Sequence, residues 1–161
     1  MAFPFKTYRV LCATSPELEP ERDIFQSTLA TFGETVSFPQ GILFAGATFR
    51  EGFDASLHRA AAENNVRTCD FYVHIVGEEP QGRILEGFAK LALECAADES
   101  KPMRQVSVLF RKFAEAEEPV RQFRERLVAA GACTVMDFQN SGELESRLME
   151  VFGVWFAMAR E

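Results

Sequence analysis

Two histidines, one tryptophan and no CxxC pair leave this sequence short of the residues from which most metal and redox centres are made. The four cysteines, Cys12, Cys69, Cys95 and Cys133, are far apart. Three lie in or beside strand-like segments and Cys95 lies on the apolar side of a helical pattern, where a free thiol behaves as a small hydrophobe. That usage fits a reducing cytosol rather than a disulfide framework, and no structural metal is expected.

Basic runs are also missing. The nearest approach is Arg121, Arg124 and Arg126, interleaved with Glu118 and Glu125 as on a solvated helix face. With a formal net charge of −7, the chain has no concentrated Lys/Arg surface for a phosphate backbone, so nucleic acid is excluded as a partner. No apolar run is long enough to span a bilayer, and the start MAFPFK lacks the features of a signal peptide. A soluble cytoplasmic protein without a membrane partner is expected. Rossmann, Walker and G-x-S-x-G motifs are absent, and no cofactor is expected.

What is present is a core. Of 161 residues, 47% are hydrophobic and sixteen are phenylalanine, enough for one domain over 1–161. The rings read either as core or as the lining of a pocket or oligomer face. YRVLCAT (8–14) reads as a strand, followed by Ser15-Pro16 as a helix start and an apolar stripe of Leu18, Phe25, Leu29 and Phe32 ending at Gly33. Residues 34–38 read as a second strand, while 41–49 read either as its extension or as an apolar loop. A helix is expected over 53–65, with Phe53, Leu57, Ala60 and Ala61 on one side. FYVHIV (71–76) is the clearest buried strand. The next helix carries Ile84, Leu85, Phe88, Leu91, Ala92, Cys95 and Ala96 on one broad face. A strand follows at 105–110, a helix opens at Pro119 and ends at Gly131, and a fifth strand covers 132–138. The last helix is capped by Asn140 or Ser141.

This βαβαβαβαβα order predicts a three-layer flavodoxin-like α/β fold around a five-stranded parallel sheet. Ligands in such sheets bind outside the carboxyl ends of the strands, which directs attention to the loops starting at Thr14, Pro39, Gly77, Arg111 and Gln139. His74 falls within a strand and reads as a residue satisfied by hydrogen bonding.

The segment TSPELEPERD (14–23) resembles the opening of the DUF4062 family of TIR-like domains, with Glu17 in the place of the usual Asp and Leu18, Glu21 and Arg22 matching. NVRTCDFYVHIV (65–76) resembles the family's middle strand, with Gly77 as its terminal glycine. Residues 84–89 and Lys101-Pro102-Met103 resemble the following helix start and the approach to the next strand. The resemblance spans residues 8–112 and carries two functional expectations.

TIR-like domains often serve as interaction modules, which implies a homo-oligomer or another TIR-like domain as partner. Some TIR domains, and the related nucleoside 2-deoxyribosyltransferases, cleave N-glycosidic bonds with a helix glutamate, whose match here is Glu86. It would stabilise an oxocarbenium-like sugar or act as nucleophile on NAD or a related nucleotide. Ser15, Arg22 and Gly77 would then hold the nucleotide. Against this, Glu86 falls opposite its helix's apolar stripe in a row with Lys90 and Glu94, an ordinary solvent face. Arg22 also reads as a carboxylate partner fixing the first helix. Asp70 precedes its strand, at the wrong end of the sheet for the site.

Overall fold

A strand covered on both faces reads as a nearly continuous apolar run, and β3 (Phe71–Val76) is buried from end to end. In the computed structural model, which describes residues 4–50 and 55–161, β3 is the centre of a five-stranded sheet. The other strands are β1 (Lys6–Thr14), β2 (Ile42–Arg50), β4 (Gln105–Arg111) and β5 (Thr134–Phe138). All pairs are parallel, in the order β2-β1-β3-β4-β5. The chain moves outward from β1 to β2 and then returns to β3 on the other side of β1. That reversal is the topological switch point of a flavodoxin-like sheet.

Five helices cover the two faces: α1 (Glu19–Phe32), α2 (Ala55–Thr68), α3 (Arg83–Ala97), α4 (Glu118–Ala130) and α5 (Ser141–Ala159). α1 and α5 close one face over an aromatic core of Phe25, Phe32, Phe44, Phe71, Phe152 and Trp155. Trp155 stacks on Phe71 with ring centroids 4.9 Å apart. Much of the phenylalanine excess is thus core, where large rings add geometry-specific contacts to their apolar burial. α2, α3 and α4 cover the other face through Val66, Leu85, Phe88, Phe123 and Leu127. The predicted stripe of α2 is corrected here. Ala60 and Ala61 are exposed, and Ala62 and Val66 face the core. A run of three alanines carries too little contrast to fix a face. Phe53 lies outside the described residues.

The second correction concerns residues 33–50. Gly33 does not stop the helix; its φ is −58°, and the chain continues through a π turn (Gly33–Ser37) and a 3₁₀ turn (Phe38–Gln40). Thr35 Oγ1 donates to Thr31 O at 2.8 Å, and the Phe38 ring folds so close over Gly33 that a Cβ there would meet it at 2.8 Å. The true stop is Gly41, at φ 74°, a left-handed conformation that glycine adopts without strain. The strand is therefore the apolar run 42–50, not 34–38.

The sheet's two edges differ. β5 has five residues, and its Asp137 carboxylate is gripped by Arg124 at 2.9 and 2.6 Å. Arg147 Nε donates to the Asp137 backbone carbonyl at 3.2 Å. β2 has nine residues, ILFAGATFR, with no charge before Arg50, and Ala45, Gly46 and Ala47 are exposed.

Candidate functional site

The expected ligand crevice lies where β1, β3 and β4 end, and an ion cluster sits at that end of the sheet. Arg111, the last residue of β4, donates Nη1 to Glu21 at 2.7 Å. Its Nη2 and Nε donate to Glu78 at 2.8 and 3.1 Å. Each guanidinium nitrogen is thus committed to a carboxylate. Glu21 comes from α1 and Glu78 from the loop after β3, so the cluster ties three elements across the switch point. Side-chain exposures of 24% for Arg111, 13% for Glu21 and 21% for Glu78 make it a half-buried network. Burial alone would raise the Glu78 carboxyl, but hydrogen bonds from Arg111 outweigh it and hold the group below its ordinary range. The same pairing holds Arg111 above its ordinary range against the cost of burial. With two acids and one base, the cluster is net negative, which opposes a phosphate.

The residues expected to bind a nucleotide occupy this neighbourhood, each with contacts among the described residues. Ser15 is buried, and its hydroxyl donates to Glu17 at 2.6 Å. Its backbone takes the N-cap position of the 3₁₀ turn Pro16–Leu18, with no side-chain cap bond. Gly77 is buried at the end of β3; a Cβ would lie 3.3 Å from Leu18 and 3.6 Å from the Arg111 guanidinium. Its missing side chain admits Leu18 and Arg111 to close packing. Arg22 is 12% exposed, pairs with Glu19 at 3.3 Å and lies close enough to act on the Cys12 thiol. Burial still pushes that thiol far up, so Cys12 is not a nucleophile.

Beside the cluster, Lys112 adopts the left-handed region at φ 47°, uncommon for a residue with a Cβ. A shallow cavity of about 270 Å³ there is lined by Glu21, Arg111, Lys112, Phe138 and the residues 139–141. The α5 N-terminus at its wall is capped at one amide, and the chain before it is tied back to the first turn. Asn140 Oδ1 accepts from the Glu143 N–H at 2.9 Å, and Glu143 accepts from the Gln139 N–H at 2.6 Å.

Glu86 faces elsewhere. Gly82 is the N-cap of α3, and its carbonyl accepts the Glu86 N–H at 3.1 Å. Glu86 is half-buried and faces α4 residues across a groove. It lines a groove of about 460 Å³ between α3 and α4, with Phe123, Leu127, Ala130 and Leu93 supplying apolar wall. Arg83, Lys90 and Arg126 bring three positive charges to it against the one negative charge of Glu86. On its inner side Glu86 meets Val76, Gln81 and Phe123 at a gap with no room for water. Among the described residues, neither space is lined by Ser15, Arg22 or Gly77. Asp70 sits before β3, at the opposite end of the sheet, bonded to the backbone of Arg9.

Between crevice and groove runs a buried polar chain. Tyr72 and His74 are both inaccessible. His74 Nε2 meets Gln81 Oε1 at 2.5 Å, and Tyr72 Oη meets His74 Nδ1 at 2.7 Å. An acceptor at Nε2 places the imidazole proton there, so the Tyr72 hydroxyl donates to Nδ1. Burial pushes His74 down to about 4, with the Gln81 bond opposing, so the ring is neutral at pH 7. It pins the loop after β3 as a structural residue, as its place within a strand suggested.

Sequence reasoning named the loops at Gly77 and Arg111 but not the pairing of Glu78 with Arg111. The available signal was a charged residue closing the apolar run QVSVLF. Among the described residues no His/Cys/Asp/Glu group is arranged to hold a metal ion, and no helix is long and apolar enough to cross a membrane.

No family profile matches the chain, and no curated protein matches it in sequence. The solved structure of rubredoxin:oxygen oxidoreductase from the anaerobe Desulfovibrio gigas aligns with a TM-score of 0.53 at 7% identity. The alignment covers 97% of this chain but 37% of that protein. At that identity the likeness concerns architecture alone, and it agrees with the five-stranded parallel sheet: the chain has a flavodoxin-like α/β fold.

Proposed function

We propose that the chain is a TIR-like protein-interaction or self-association module, and that the α3–α4 groove docks an acidic amphipathic helix. The observation that carries this reading is the contrast between a crevice whose Arg111 is paired with Glu21 and Glu78 and an open apolar groove bordered by three cations. Helix-in-groove recognition needs an apolar floor for anchors spaced along one helix face, and the cations select acids beside those anchors. Selection from a display library of helical peptides tests it. Enrichment of apolar i, i+3, i+4, i+7 patterns flanked by Asp or Glu is expected, with binding lost in the Lys90→Glu/Arg126→Glu variant. Equal enrichment on both proteins sinks the reading.

A second reading is favoured by one observation: Glu86 is half-buried in a groove within the size range of small-ligand sites. In it, Glu86 cleaves the N-glycosidic bond of NAD or a related nucleotide. Incubation with NAD, beside a Glu86→Gln control, decides for that substrate: release of nicotinamide by the parent chain alone supports the enzyme.

A further inference from the structure

We infer that β2 is a homodimer edge, at which two copies of the chain join their sheets by antiparallel pairing about a two-fold axis at Gly46. This deepens the module reading by naming one partner, a second copy; it rests on the self-association part of that reading and not on the groove.

The backbone specifies the partner's conformation. Among the described residues, β2 pairs with β1 on one side only and ends the sheet. The Lys6 N–H donates to Gly41 O, and the register sets Lys6 opposite Ile42. Parallel alternation then turns the odd-numbered amides of β2 toward β1. The N–H and C=O groups of Ile42, Phe44, Gly46 and Thr48 are left on the outer edge. Such a row is satisfied by water or by another extended strand.

The usual protections of an edge are absent from 42–49: this stretch has no Lys, no Pro and no charge. β5 has them, in a short span, a charged Asp137 and a carbonyl covered by Arg147. The same alternation turns that covered carbonyl outward, because Lys112 N–H donates to Phe138 O and so directs the even-numbered groups of β5 inward.

Three features favour a second copy. Each chain carries a net charge of −7, so copies repel over most of their surfaces, and residues 41–49 are a stretch without charge where they approach at least cost. The edge is self-complementary. With the axis at Gly46, the two glycines exchange both backbone bonds, Phe44 lies opposite the partner's Thr48, and Ala45 lies opposite the partner's Ala47. The exposed small residues Ala45, Gly46 and Ala47 form the middle of the seam. A strand pair alone is marginal in water. Here a depression of about 240 Å³ lined by Phe25, Leu29, Phe38 and Phe44 adjoins the edge, and Phe38 is 37% exposed beside it. The two-fold axis brings this apolar patch to both sides of the seam.

Sedimentation velocity on the full chain, from micromolar to submillimolar concentration, tests the inference. The parent chain is expected to form a dimer of twice 18.1 kDa. Ala45→Glu/Ala47→Glu sets like charges opposite each other twice and is expected to weaken the dimer by roughly tenfold or more. Ala45→Glu/Ala47→Lys sets opposite charges at both places and is expected to restore it. All three positions of the seam are exposed, so circular dichroism and the melting temperature of the monomer should match across the variants. A parent chain that stays monomeric overturns the inference, even if it takes up a foreign extended peptide at β2. So does a dimer indifferent to the charges, or one that the mixed pair fails to restore. Binding of the acidic helical peptides to the same variants is read separately: its loss in the parent chain counts against the groove and leaves the edge standing.

Discussion

The strand-end crevice and the α3–α4 groove are built from neighbouring stretches of chain, yet they spend their charges oppositely. In the crevice, Arg111 is consumed by two carboxylates of its own protein. In the groove, Arg83, Lys90 and Arg126 line an apolar floor. The first arrangement ties β4 to α1 and to the loop after β3, and so contributes to stability. The second leaves cations facing a space that another molecule can enter. A functional reading of a charged residue therefore depends on whether its partners are internal, which residue type alone does not reveal.

That contrast predicts a graded set of outcomes. The largest concerns the wall between the two sites. His74 falls to about 4 in the folded chain from 6.5. Its folded pKa is depressed, so the unfolded chain binds more protons between those values, and stability is lost as pH falls from 6.5 toward 4. The loss amounts to about 3 kcal/mol at the bottom of that window. Glu78, also depressed, adds to the loss with the same sign at lower pH. Urea unfolding at pH 7.5 and 4.5 measures it, and His74→Gln should flatten most of the difference.

Next is the crevice itself. Arg111→Leu leaves two half-buried carboxylates facing each other and should cost about 2–3 kcal/mol, below the full cost of a buried pair because each keeps some contact with water. Gly77→Ala pushes a methyl toward the fully buried Leu18 and should cost about 1 kcal/mol, since overpacking outweighs the entropy gained in the unfolded chain. At the small end, Arg126→Ala in the groove should change stability by about 0.5 kcal/mol or less. If Arg126→Ala proves as costly as Arg111→Leu, the groove is a structural seam and the contrast between the sites fails.

Much of the fold was legible because its signals were local. FYVHIV could only be a buried strand, Gly131 ends α4 at φ 63°, and Asn140 caps α5, each as its neighbours implied. The miss at 33–41 has a physical cause. Gly33 is compatible with both a helix and its end, and GETVSF has a strand-like composition, so only the packing of Phe38 over Gly33 decides. The site was less legible. Glu86 was placed by helical periodicity on a solvent face, and periodicity cannot foresee that α4 would pack beside it. Arg111, Glu21 and Glu78 are separated by up to 90 residues, and their meeting is a property of the crossovers alone.

The guarded edge at β5 has a consequence for assembly. A sheet with two open edges is a monomer in the polymer sense, able to add units without end. Among the described residues, β2 is an edge without charge before Arg50 and β5 an edge guarded by Asp137 and Arg147, so the proposed pairing would give the chain a valence of one. Joining two copies at β2 would consume that valence and leave a ten-stranded unit bounded by guarded edges. The Arg147 contact to a single carbonyl would then act as a chain terminator, separating a finite pair from a growing fibre.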